Sequence, residues 1–188
     1  MIIVCISCES LEFRCSKPVY MKGKGKFMFS FSKEAEEGLR AAGWFPGRCV
    51  DITEYEHAFS LQGYVLTEPI RAAFREFADL ELEFPSHVNP SIKINANFYL
   101  MQAIEDMPIG WVRFLERLMN GEKLVPIGLW NGYFRNQISE SGKIYSYYDA
   151  FWYYDDSIQG FIEGLYHRGK HPVVEIPIPD ESWKFLEF

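Results

Sequence analysis

The sequence predicts an α+β fold. A single domain carries a mostly antiparallel (mixed) sheet, ending in a C-terminal three-strand meander, packed against several helices. Three observations predict it. Short, sharply punctuated helical stretches fill residues 32–79. Segments of alternating hydrophobicity follow them. An Asn-Gly pair at Asn131–Gly132, the strongest short hairpin signal, then separates two apolar segments.

In "SKEAEEGLRAAGWFPGRCVDI", residues 32–52, Ser32 is placed to cap a helix and Glu34, Glu36 and Glu37 lie near its positive end. Ala35, Leu39 and Ala42 share one face, Gly43 suits the left-handed residue that ends a helix, and Pro46–Gly47 forbid continuation. Thr53 and Glu56 have capping-box spacing for a second helix, closed by Gly63. Thr67 and Pro69 open a third, with Ile70, Ala73, Phe74 and Phe77 on one stripe. "LELEFP" from Leu80 alternates as a strand, and "SIKINANFYL" from Ser91 alternates before turning helical. "PIGWVRFLERLM" from Pro108 is helical, with Trp111, Phe114, Leu115 and Leu118 on one side and Gly121 as its end. "EKLVPIGLW" is a strand in which Pro126 implies an edge or a bulge. "YFRNQI" and "KIYSYY" complete the meander, and "DDSIQGFIEGLYHRG" is a last helix, capped by Asp156 or Ser157. Gly160 and Gly164 inside it imply a close backbone approach to the sheet. The Pro-broken tail after Gly169 reads as an extended strap. The expected core comprises Leu39, Trp44, Phe74, Phe77, Trp111, Phe114, Leu115, Ile127, Phe161 and Leu165.

Composition narrows the function. Of 188 residues, 48% are hydrophobic and 17% aromatic, which describes a folded chain with a sizeable core. No apolar run approaches the roughly 20 residues of a membrane-spanning helix. Residues 1–27 hold five Lys/Arg against two Asp/Glu, and residues 28–188 hold fourteen against twenty-four, within a net charge of −7. An acidic body argues against direct binding of nucleic acid and favours a basic partner. Residues 1–27 are read as an extension, either a loose tail or a start-site misassignment before Met28, with the domain spanning 28–188. Its Cys5-x-x-Cys8 pair and Cys15 fall short of the four ligands a structural zinc takes, so neither a metal nor a cofactor is expected.

No phosphate loop, dinucleotide fingerprint or nucleophile elbow occurs. His167 and His171 have i,i+4 spacing, but Gly169 and Pro172 break the helix such a metal site needs. Cys49 has no identifiable base. The unusual feature is "YSYYDAFWYYDD", residues 145–156. Alternation buries some of its rings and leaves others out. Tyr147, Tyr148, Asp149, Trp152, Tyr153, Asp155 and Asp156 are therefore the candidate partner-binding residues, since exposed aromatics beside carboxylates are the material of protein-binding hot spots. The helix around Glu54 and Glu56 is the alternative surface.

Residues 31–52, with their Gly-Trp-x-Pro-Gly-Arg turn at 43–48, resemble the opening of the SUKH immunity-protein superfamily, specifically its third branch. "LVPIG" at Leu124–Gly128, "ESGKIY" at Glu140–Tyr145 and "DDSIQGFIEGL" at Asp155–Leu165 are similar to that branch's strand–strand–strand–helix ending. The resemblance covers about residues 29–168. It departs where a glycine often precedes the acidic helix cap, a place held here by Tyr154 and Asp155. The resemblance implies a small bacterial, cytoplasmic, non-enzymatic domain of a polymorphic toxin system. Such a domain binds and neutralises a cognate toxin, often a nuclease, by stoichiometric occlusion. A regulatory or scaffolding member of the superfamily remains the alternative, and a hydrolase using Asp149 or Asp155 with a tyrosine the remote one. A toxin gene beside this one separates the first two.

Overall fold

The computed structural model describes residues 29–167 and 173–179. Cys5, Cys8, Cys15, Met28, Gly169 and His171 lie outside them. Six helices and seven strands follow one another: α1 (Lys33–Ala41), α2 (Thr53–Leu61), α3 (Glu68–Phe77), β1 (Glu81–Pro85), β2 (Lys93–Asn97), α4 (Leu100–Asp106), α5 (Ile109–Leu118), β3 (Leu124–Trp130), β4 (Phe134–Ser139), β5 (Ile144–Tyr147), β6 (Phe151–Asp155), α6 (Ile158–Tyr166) and β7 (Val174–Ile176). The strands form one sheet in sequence order, and every pairing is antiparallel. The meander runs further than the sequence suggested, because the aromatic run folds back as β6 and part of the expected strap pairs with it as β7.

The glycine-ended helices close as read. Gly43 and Gly63 have φ of 93° and 82°. Trp44 N–H returns to the Leu39 carbonyl at 2.9 Å, and Tyr64 N–H to the Phe59 carbonyl at 3.0 Å, so both α1 and α2 end in Schellman turns. The residues so joined pack together, the Phe59 and Tyr64 rings lying 5.5 Å apart. The start of α2 differs from the capping-box reading. Asp51 accepts from the Thr53 N–H and hydroxyl at 2.9 and 2.7 Å, so the cap lies before Thr53 rather than at it. Helix α5 turns left-handed at Asn120, one residue before Gly121.

The Gly-Trp-x-Pro-Gly-Arg turn is a clamp on α3. The Trp44 indole N–H donates to Glu76 Oε1 at 2.9 Å, and Arg48 donates to the Glu76 and Ala78 carbonyls at 2.8 Å each. The cation thereby satisfies carbonyls that a helix C-terminus leaves without partners. Trp44 is 5% exposed, as a scaffold turn requires. Nine of the ten expected core residues are buried, and Trp111 is half-buried.

Two buried glutamates titrate in opposite senses. Burial pushes the Glu76 carboxyl up, only partly offset by Trp44 and Arg48. Burial also pushes on Glu116, but donors on Arg113, Leu124 N–H and Lys123 outweigh it and hold that carboxyl low. A lowered folded pKa gives stability that is present above the ordinary glutamate range and lost as pH falls. A raised one gives stability that is present in acid and lost as pH rises. Glu116→Gln is thus expected to destabilise at pH 7 and to do much less at pH 3. Glu76→Gln, which keeps an acceptor for Trp44, should match or exceed the wild type at pH 7. Urea unfolding at both pH values checks the pair.

Strand β3 carries the bulge that Pro126 foretold, between Pro126 and Gly128, although it is a central strand. Strand β2 joins it through one register pair, Ala96↔Trp130, with Asn97 Oδ1 accepting from Leu129 N–H at 3.1 Å. Helices cover both faces of the sheet. Trp111 on α5 meets Tyr147 on one face, and Phe161 on α6 meets Tyr154 on the other.

Candidate partner-binding surface

Register divides the candidate residues between the two faces. Residues directly opposite in an antiparallel pair share a face. Tyr147 pairs with Arg135 and Phe151, and Tyr153 with Tyr145. Trp152 pairs with Ser146 and so belongs to the opposite face, as does Tyr148 by alternation.

On the first face, α5 covers much of what the sequence offered. The Tyr147 ring stands 4.8 Å from Trp111, edge to face, and burial raises its hydroxyl. The Tyr153 hydroxyl is pushed up to about 12, first by burial and then by its hydrogen bond to Asp156. Arg135 spans the end of this face, donating to the Asp106 carbonyl at 2.9 Å and the Tyr133 carbonyl at 3.4 Å.

Among the described residues no helix covers the second face beyond α6. Phe134 is the hub of a ring cluster there, with Trp130 at 4.9 Å, Tyr148 at 5.5 Å, Trp152 at 5.7 Å and Tyr133 at 5.9 Å. Tyr133 and Tyr148, 5.4 Å apart, are 49% and 47% exposed. Trp130, Tyr133 and Phe134 were absent from the sequence-derived set. Their signal was the hairpin itself, which returns Phe134 opposite Trp130 and brings both beside the later aromatic run.

The three aspartates have different settings. Asp149 is exposed in the β5–β6 turn. Asp156 is exposed and bonded to Tyr153. Asp155 works on the start of α6: its Oδ1 accepts from the Ser157 N–H at 3.1 Å and hydroxyl at 3.3 Å, while Ser157 caps Gly160 N–H. A side chain at Gly160 would overlap that carboxylate. The close approach expected at this glycine is therefore to Asp155. Asp155→Ala is expected to lower stability by about 1–2 kcal/mol, the usual loss at a helix cap. Asp149→Ala should change stability by less than about 0.5 kcal/mol, as is usual for a surface site. Thermal unfolding of the two variants distinguishes them.

Charge is unevenly neutralised. Several carboxylates around the body are ion-paired, among them Glu36 with Arg40, Glu56 with Arg71, Glu68 with Arg75 and Glu83 with Lys93. Glu56, named as part of the alternative surface, is thus engaged. Asp149 and Glu175 are among the carboxylates that form no ion pair among the described residues, and these two flank the ring cluster. His167 Nε2 lies 2.7 Å from the Ser32 hydroxyl and 3.3 Å from Glu163, tying α6 to the start of α1. Among the described residues no three His, Cys, Asp or Glu side chains gather as a metal site, and no helix is long and apolar enough to cross a membrane.

The family model described as SUKH-3 immunity protein matches residues 31–167. The chain belongs to the SUKH-3 immunity protein family. No curated protein and no solved structure matches it. The SUKH-3 span contains the clamp turn, the bulged β3 and the ring cluster. It ends one residue after α6, so β7 and its Glu175 lie beyond the matched span.

Proposed function

We propose that this SUKH-3 protein is a bacterial cytoplasmic immunity protein that binds one copy of its cognate toxin domain and neutralises it by covering the surface the toxin works with. The family match carries the reading. The open ring cluster, with Asp149 and Glu175 beside it, supports it as a place for a basic protein to dock. The toxin we favour is a nuclease. Such an enzyme needs cations to hold phosphate, and covering them removes its substrate site without any chemistry by the immunity protein. The body's acidic charge fits a protein partner rather than nucleic acid.

Co-expression tests the reading. The toxin domain encoded beside this gene should arrest growth when produced alone and be harmless when produced with the full chain. The two should co-elute as a one-to-one complex. Continued arrest, with the two proteins eluting apart, would overturn the reading and favour a regulatory or scaffolding role.

A further inference from the structure

The open face holds a polar row that its rings do not explain. Asn136, Ser146, Trp152 and Glu175 stand side by side across β4, β5, β6 and β7, each directly opposite the next. Asn136 and Ser146 are 1% and 0% exposed. Asn136 Oδ1 and Ser146 Oγ are nonetheless without a hydrogen-bond partner. Trp130 Nε1, on the same face, is likewise buried and unpartnered. Buried polar atoms are nearly always bonded, and leaving them unbonded is destabilising. At the outer end of the row Glu175 is exposed on the edge strand and meets no cation among the described residues.

Resting on the toxin-binding reading, we propose that this row receives one cationic side chain, an arginine or lysine, from a basic toxin domain. The row supplies what such a side chain requires, from the outside inward. Glu175 provides an unpaired carboxylate at the mouth. The half-buried Trp152 offers an indole face on which a guanidinium or an alkyl-ammonium can lie. Ser146 and Asn136 present oxygens free to accept the N–H groups that an arriving cation must bond when it leaves water. A rotation of the Trp152 ring admits the head group, a change of the size common at interfaces. Tyr133, Tyr148 and Asp149 form the rim around the contact. Tyr147 and Tyr153, on the opposite face, take no part.

The experiment is binding kinetics of the full chain against the purified toxin domain encoded beside the gene, at low and high salt, with melting temperatures for every variant. Glu175→Lys should weaken binding about tenfold at low salt, mainly by slowing association, and less at high salt. Trp152→Ala should weaken it roughly a hundredfold through the off-rate, as loss of an anchoring aromatic does. Ser146→Ala should weaken it about fivefold while leaving the melting temperature unchanged or raised, because the hydroxyl it removes bonds nothing in the free protein. If Trp152→Ala does not fold, the other two variants decide. Wild-type binding by both Glu175→Lys and Ser146→Ala would overturn the row as the contact and leave the toxin-binding reading standing. No binding by the wild type would overturn both.

Discussion

Gly128→Ala is expected to destabilise the protein by more than about 3 kcal/mol, enough to leave much of the chain unfolded in a domain of ordinary stability. Two effects add at this position. Gly128 has φ of 146°, a conformation that side-chain-bearing residues rarely adopt. A Cβ there would also overlap the backbone carbonyl of Asn97 on the neighbouring strand β2, which has no rotamer by which to withdraw. This is where β2 meets β3 through one register pair, so displacing Asn97 would part the β1–β2 hairpin from the rest of the sheet. Gly132→Ala is the control. It too has positive φ, 79°, but nothing lies within 4 Å of its would-be Cβ. Its loss should be about 1 kcal/mol, from backbone conformation alone. Urea midpoints of the two variants separate clash from conformation. Equal midpoints would show that the close approach at Gly128 carries no energetic weight.

Phe77→Ala should cost about 3–5 kcal/mol, the usual result of deleting a buried phenyl ring and leaving its cavity. Phe77 is 1% exposed, and its ring lies 5.1 Å from Phe29, 6.2 Å from Phe31 and 5.8 Å from Phe98. It joins α3, the segment entering α1 and the end of β2. In a domain of this length the melting temperature should fall by roughly 10 °C. Phe45, 45% exposed in the clamp turn, gives the contrast. Phe45→Ala should stay within about 1 kcal/mol of the wild type. A Phe77 variant as stable as the Phe45 variant would mean that this corner of the core is not packed as described.

What the sequence made legible was local. Gly43 and Gly63 announce their Schellman turns because the left-handed residue and the apolar pair around it are all within six positions. Pro126 announces a bulge because it removes a donor wherever it sits. The capping of α2 was misread because Asp51 and Thr53 are both good caps, and only the backbone path decides between them. Strand β6 was hidden because residues 144–155 contain neither glycine nor proline, so the turn at Tyr148–Ala150 leaves no composition signal. How the candidate residues divide between the two faces was hidden for the same reason. Aromatic density drew attention to Tyr148 and Trp152, but which rings share a face depends on register. Register is settled by pairing with β4 and β7, and it brought in Trp130, Tyr133, Phe134 and Glu175 while turning Tyr147 and Tyr153 away. The part Asp155 plays at the start of α6 was not legible, because a residue that supports a helix cap and an acid at a surface are the same letter.

Neutralisation by stoichiometric cover, as proposed, is tested by titrating toxin activity. A purified cognate toxin domain is held at a concentration well above the dissociation constant, and the full chain is added in steps. The expected result is a linear fall in activity to a sharp end point at one equivalent, with activity restored when the complex is dissociated and the toxin recovered. Full inactivation far below one equivalent, or activity that persists at many equivalents of folded protein, would contradict it.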